Sequence, residues 1–160
     1  APLACPASGP PGRSLLGRPG RAAVGSAANR GIVMAGEADL AVLLRSMEPE
    51  LQGVAFGYAV TDLPIPTEFA RIAEPEGMTV IAPLAGLATV GITPAEAWAR
   101  ISLTVHSDLT AVGLTAAIAR VLADQGISAN VVAGFYHDHV FVPWHRRDDA
   151  MLALQGLSDV

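Results

Sequence analysis

The sequence predicts an α+β protein in which short strands and helices alternate. In residues 101–106 apolar and polar side chains alternate, as they do in a strand with one buried face. A long apolar stripe follows between residues 109 and 122, at the spacing of a helix. Gly126 is typical of a helix end, and the runs 128–135 and 139–144 then indicate two paired strands. A last helix completes a strand, helix, strand, strand, helix order.

The first half of the chain contains similar elements in a less regular order. Leu40, Leu43, Leu44 and Met47 form one stripe of a helix that ends before a proline. The remaining predicted elements of this half are a strand at 53–60, a hairpin of 69–74 with 78–82, and a helix begun by Thr93-Pro-Ala-Glu96. In the second half, Asp148 or Asp149 is expected to begin the last helix. We expect these elements to form two small sheets that share one core.

The long helix of the second half has a polar start and an internal glycine. Ser107 or Asp108 is expected to cap its N-terminus. Gly113 would then lie inside the helix, where glycine costs about 1 kcal/mol relative to alanine. A close contact with a neighbouring element is the reason we expect for a glycine there.

The composition favours a soluble domain and argues against nucleic-acid binding. Half of the residues are apolar, and no apolar run reaches the roughly 18 residues of a membrane span. Residues from 34 onward contain six of the ten basic residues and all fifteen acidic ones, a formal charge of −9 that repels phosphate backbones. The single cysteine, Cys5, cannot form an internal disulfide, which fits a reducing cytoplasm.

Residues 1–33 differ in composition from the rest of the chain. They are rich in Pro, Gly, Ala and Ser, carry four arginines and contain no acidic residue. Such a segment buries too little surface to offset its ordering entropy, so we expect it to be disordered. A targeting peptide and a basic tail are two interpretations, and we favour a third, in which translation truly starts at Met34 and the segment is an upstream artefact.

Several short phrases carry a resemblance to a known family. They are Leu103-Thr-Val-His-Ser-Asp-Leu109, Val112-Gly-Leu-Thr-Ala116, Gly126-Ile-Ser-Ala-Asn130, Tyr136-His-Asp-His139 and, in the first half, Glu74-Pro-Glu-Gly77. Together they resemble small bacterial proteins of the ACT-domain class. The resemblance spans residues 38 to 157, nearly all of the chain after its N-terminal segment.

The resemblance implies a fold, a function and an assembly. It implies tandem ACT-like units of the ferredoxin-like βαββαβ type, at 36–97 and 98–160, with antiparallel sheets covered by helices. ACT domains are sensing modules that usually bind amino acids where two modules meet. The implied function is therefore a non-catalytic amino-acid sensor that works as a homodimer with no enzyme attached. Together with the composition, we expect a cytoplasmic protein without cofactor, nucleic-acid partner or membrane.

The resemblance also implies where a ligand binds. The usual ACT site is the turn between the first strand and first helix of a unit, which here is the turn at 106–108. Amides at a helix N-terminus attract a carboxylate, and Asp108 offers a partner for an ammonium group. Many members have a glycine in this turn, whereas Gly113 falls inside the predicted helix. The expected ligand-binding residues are His106, Ser107, Asp108, Leu109, Asn130, His137 and His139.

Two other interpretations of the same residues remain open. His106, His137, Asp138 and His139 offer the side chains of a metal site or, with Ser107 as nucleophile, of a hydrolase. In the second interpretation the protein is an interaction module, and these residues only shape turns. Asp138 then forms a hydrogen bond to its own backbone. Our expectation is a binding site with no metal and no catalytic residue.

Overall fold

The computed structural model describes residues 36–158, and these form one antiparallel sheet with four helices packed on one face. The predictions for Cys5, residues 1–33 and Met34 lie outside the described residues. The helices are α1 (Leu40–Ser46), α2 (Leu84–Thr89), α3 (Leu114–Asp124) and α4 (Arg147–Gln155). The strands are β1 (Pro49–Val60), β2 (Ala70–Glu74), β3 (Gly77–Pro83), β4 (Trp98–Leu103), β5 (Asn130–Ala133) and β6 (Asp138–Pro143).

The six strands lie in the order β2-β3-β1-β4-β6-β5. From either edge the order is second, third and first strand of a unit, so the sheet has an internal two-fold pattern. The prediction of two small sheets is wrong, because the first strands of the two units pair with each other. That pairing, in which Ala55 faces Ala99 and Leu51 faces Ile101 with an irregular register between them, joins the two units into one six-stranded sheet.

The helix-bearing face of the sheet holds the main hydrophobic core. Ala99, Ile101 and Leu103 alternate along β4 and are fully buried beneath α1, α3 and α4. Val80 and Ala82 likewise alternate along β3 and are buried beneath α2. Burial of apolar side chains stabilises a fold by about 25 cal/mol per Å², so these alternating residues fix which face the helices cover.

The opposite face of the sheet is lined by aromatic side chains. We call this set the aromatic face: Phe56, Tyr58, Phe69, Trp98 and Phe141. Phe69 precedes the edge strand β2, yet its ring centroid lies 5.3 Å from that of Phe141 on β6. The sheet must curl strongly to bring these two residues together, and the rings line the inside of the curl.

Two helix boundaries differ from the prediction. The helix predicted to begin at Thr93 is absent. The helix in this part of the chain, α2, occupies residues 84–89, and β4 begins at Trp98. α3 begins at Leu114 and not near Asp108, so the predicted cap by Ser107 or Asp108 is wrong. Gly113 is the N-cap residue, with a φ of 105° that disfavours any residue with a side chain.

The end of α3 agrees with the sequence pattern. Gly126 has a φ of 65°, and its N–H donates to the carbonyl of Ala123 at 2.9 Å. The N–H of Ile127 donates to the carbonyl of Leu122, also at 2.9 Å. These two bonds form a Schellman cap, which places the start of β5 beside the end of α3.

Candidate functional site

The loop between β4 and α3, residues 104–113, is held in place by the chain that precedes α1. The N–H of Glu37 donates to the carbonyl of His106 at 3.0 Å, and the N–H of Asp108 donates to the carbonyl of Glu37 at 2.9 Å. A Cβ atom on Gly36 would lie only 2.4 Å from the nitrogen of Asp108. The loop therefore has a backbone neighbour along one side.

Asp108 stabilises the middle of this loop. Its Oδ1 accepts hydrogen bonds from the N–H of Thr110 at 2.8 Å and from the Thr110 hydroxyl at 2.6 Å. Hydrogen bonds from the hydroxyl and then the amide of Thr110 lower the pKa of Asp108 below its ordinary value. The carboxylate is thus ionised at neutral pH and half-exposed at the cavity described below.

Ser107 and Asp138 form a buried polar pair beneath the loop. The Ser107 hydroxyl donates to Oδ2 of Asp138 at 3.2 Å, and the two residues are only 9% and 8% exposed. The interpretation of Asp138 as a turn residue bonded to its own backbone is therefore wrong. The pair joins the loop to the start of β6.

Replacing Ser107 by alanine is expected to lower the free energy of unfolding by about 1–3 kcal/mol, because the buried Asp138 carboxylate loses its hydrogen-bond donor. Urea denaturation followed by circular dichroism measures this change. Ser128→Ala is the matched control, since Ser128 is exposed. Equal stability of the two variants would contradict a structural role for the Ser107–Asp138 bond.

The N-terminus of α3 has no side-chain cap, and it borders a small cavity. The cavity has a volume of about 70 Å³ and is lined by Ser107, Asp108, Leu109, Ala111, Leu114, Thr115, Ala133 and Asp138. The loop does contain a glycine at the start of the helix, because Gly113 is the N-cap and not a helix-interior residue. Uncapped amides, a carboxylate and small polar side chains thus meet in one place.

The three histidines of the predicted site contact different neighbours. The ring of His106 lies 5.6 Å from that of Tyr136, and Nδ1 of His137 is 3.5 Å from the carbonyl oxygen of Val105. His139 lies on the aromatic face, with Nδ1 3.0 Å from the Ser102 hydroxyl. Within residues 36–158 no group of three or more His, Cys, Asp or Glu side chains is arranged to hold a metal.

Other predicted residues lie at varying distances from this cavity. Ser107, Asp108 and Leu109 line it directly. Asn130 pairs with Phe141 at the far end of β5 from Ala133, and it does not line the cavity. Sequence reasoning missed Thr115, whose position two residues after Gly113 signals a helix start only once that glycine is recognised as the cap.

A second and larger cavity lies at the opposite end of β4. Its volume is about 710 Å³, within the usual range of ligand sites, and its lining includes Trp98, Trp144 and His145. The guanidinium carbon of Arg147 lies 4.5 Å from the Trp144 ring centroid. This cavity is a rival location for a ligand, and it shares no lining residue with the first one.

Comparison with known families identifies both halves of the chain. Residues 35–96 match one ACT domain family and residues 95–156 match another. A protein of unknown function from Vibrio cholerae, described as a possible transport protein, is 39% identical, with a TM-score of 0.67 over 74% of this chain and 95% of its own. The chain belongs to the ACT-domain family. No curated protein matches it.

More distant solved structures share the fold alone. A protein from Agrobacterium tumefaciens is 13% identical and has a TM-score of 0.55, over 70% of this chain and 89% of its own. A structure of aspartokinase alpha and beta subunits is 16% identical with a TM-score of 0.50, over 70% of this chain and 97% of its own. None of the helices in the part of the chain that the structure describes is long and apolar enough to cross a membrane.

Proposed function

We propose that this chain is a non-catalytic regulatory protein of ACT type that binds an amino acid at the loop between β4 and α3. The observation that carries the proposal is the uncapped N-terminus of α3 beside the Asp108 carboxylate. Helix amides bind a carboxylate, and Asp108 binds an ammonium group, so the pair matches the two charges that every free amino acid carries.

In this proposal the residues at the cavity have distinct roles. Ser107 and Leu109 form its floor and wall, Asp108 pairs with the ammonium group, and the amides of Leu114 and Thr115 receive the carboxylate. His106 and His137 do not line the cavity, and their contacts join the loop to the turn between β5 and β6. Asn130 and His139, expected as ligand-binding residues, lie outside this arrangement.

The cavity is too small to enclose a ligand by itself. Its 70 Å³ lies well below the roughly 300 Å³ at which ligand pockets begin. Large apolar side chains in the two segments that contribute its lining, 107–115 and 133–138, are nevertheless exposed, by 65% at Leu109, 84% at Val112 and 51% at each of Phe135 and Tyr136. An apolar rim around a shallow polar centre is typical of an interface. We propose that a second copy of the chain covers the cavity, giving a homodimer.

The ligand would regulate the docking of two copies if both the ligand and the second copy bind at this surface. A ligand seated between two copies contacts both, so it stabilises the docked arrangement by its differential affinity for that state. The two-fold pattern of the sheet supports a division into units at 36–97 and 98–160, of which the second carries the site.

A thermal-shift screen of the full chain against the standard amino acids tests this function. A ligand that binds only the folded state raises the melting temperature, by an amount equivalent to about 2.7 kcal/mol at 100 times its Kd. We expect one amino acid, or one chemically related group, to give a dose-dependent rise.

Asp108→Asn provides the test of location. Asparagine keeps the acceptor for Thr110 but removes the charge, so we expect the apparent affinity to fall about tenfold. Asp124→Asn, at the exposed end of α3, is the matched control and should bind normally. Unchanged affinity in Asp108→Asn, or a panel in which no amino acid raises the melting temperature, would contradict the proposal.

A further inference from the structure

Arg100 lies on the aromatic face of the sheet, away from the helices. It alternates with Ala99 and Ile101, which face the helix core, and it pairs with Phe141 across to β6. Its guanidinium carbon is 4.9 Å from the ring centroid of Phe56 and 4.7 Å from that of Phe69. Two aromatic rings therefore hold the charged group against the inside of the curled sheet.

The guanidinium has no polar partner among residues 36–158. No carboxylate of this part of the chain forms an ion pair with it, and its buried Nε atom has no hydrogen-bond acceptor. Burial lowers the pKa of Arg100, and the exposed Glu50 opposes this only through the longer-range attraction of its charge. An arginine remains charged in any protein, so this charge is partly desolvated without a partner.

The surroundings of Arg100 combine apolar walls with further polar groups. The imidazole of His139 lies 4.8 Å from the Phe69 ring and within hydrogen-bond distance of the Ser102 hydroxyl. Burial and then the positive charge of Arg100 lower the pKa of His139. The hydroxyl of Tyr58, on the same face, is also buried without a partner. The guanidinium of Arg100 gives this region a positive charge, and its Nε–H is an unused hydrogen-bond donor.

We infer that Arg100 is the anchor of a second ligand site, which takes the carboxylate of a small molecule with an apolar body. The guanidinium offers paired N–H donors that match the two oxygens of a carboxylate. Phe56 and Phe69 contribute the apolar walls. The ligand carboxylate supplies the negative partner charge that the partly buried guanidinium lacks. The site lies on the opposite face from the helices and does not depend on the proposed amino-acid site.

Benzoate is the probe for this site, because it combines a carboxylate with an apolar ring, and benzamide is its neutral counterpart. We expect benzoate, at constant ionic strength in a carboxylate-free buffer, to raise the melting temperature of the full chain saturably. Benzamide should give no such rise. Titration calorimetry should show a benzoate Kd that Arg100→Met weakens about ten- to a hundredfold, the loss expected for a charged hydrogen-bonded pair.

Two variants keep the outcome interpretable. Arg120→Met removes an exposed arginine from α3 and should leave the benzoate response unchanged. Arg100→Met should be at least as stable as the wild type without ligand, because it removes an unpaired charge. If it fails to fold, Arg100→Lys, which keeps the charge but not the paired donors, should bind benzoate more weakly than the wild type. A wild type that ignores benzoate, or an equal response from either Arg100 variant, would overturn the inference.

Discussion

Replacing Phe141 by alanine is expected to lower the free energy of unfolding by about 3–5 kcal/mol, a large part of the stability of a domain of this size. Phe141 is fully buried, and its ring packs edge to face against Phe56, Tyr58 and Phe69. Truncation would leave a cavity that the curled sheet cannot close without moving several rings. Urea denaturation followed by circular dichroism at 25 °C measures the loss.

Phe135→Ala is the matched control for this prediction. Phe135 lies in the turn between β5 and β6, but its side chain is 51% exposed. At a protein concentration low enough to keep two copies apart, its removal should change the free energy of unfolding by no more than about 0.5 kcal/mol. If Phe141→Ala lost as little as Phe135→Ala, the aromatic face would not be a second core, and the curl of the sheet would need another explanation.

Replacing Gly113 by alanine is expected to lower the free energy of unfolding by about 1–3 kcal/mol and to weaken ligand binding at the loop. The φ of 105° strains any residue with a Cβ atom, by about 1–2 kcal/mol. That Cβ would also lie 2.8 Å from a methyl carbon of Leu40, so the end of this side chain must move aside, which adds up to about 1 kcal/mol. Urea denaturation gives the stability, and amino-acid titration gives the affinity.

Gly91→Ala separates the loss of stability caused by backbone strain from the loss caused by the contact with Leu40. Gly91 also has a positive φ, of 76°, but a Cβ atom there would meet nothing within 4 Å. We expect it to show the backbone strain alone, so the difference between the two variants measures the contact with Leu40. Equal losses in both variants would show that α1 does not constrain the start of α3.

Much of the second half of the fold could be predicted from the sequence, because its patterns are local. Alternation predicted the buried face of β4 correctly, although the strand is Trp98–Leu103 and not 101–106, and Gly126 marked the end of α3 correctly. The start of α3 could not be found in this way. Ser107 and Asp108 are good caps, but Ser107 bonds to Asp138 and Asp108 to Thr110, so neither is free to cap α3.

The pairing of the two units could not be predicted from the sequence, for a different reason. Which strand edges join depends on contacts between residues far apart in the chain, and β1 gives no local sign that its partner is β4. Phe56 and Phe69 look like ordinary strand residues in the sequence. The pairing of β1 with β4 brings Phe56 beside Arg100, and the curl of the sheet brings Phe69 there. The predicted amino-acid site depended on resemblance, and its local geometry had to come from the structure.

The ligand location is tested most directly by backbone NMR of the full chain during titration with the amino acid that the thermal screen selects. The account predicts that the amide resonances of residues 107–115 shift most, together with those of 133–138, because both segments line the cavity or its rim. Shifts confined to residues 96–98 and 143–145 would place the ligand in the larger cavity and contradict the assignment of the β4–α3 loop as the regulatory site.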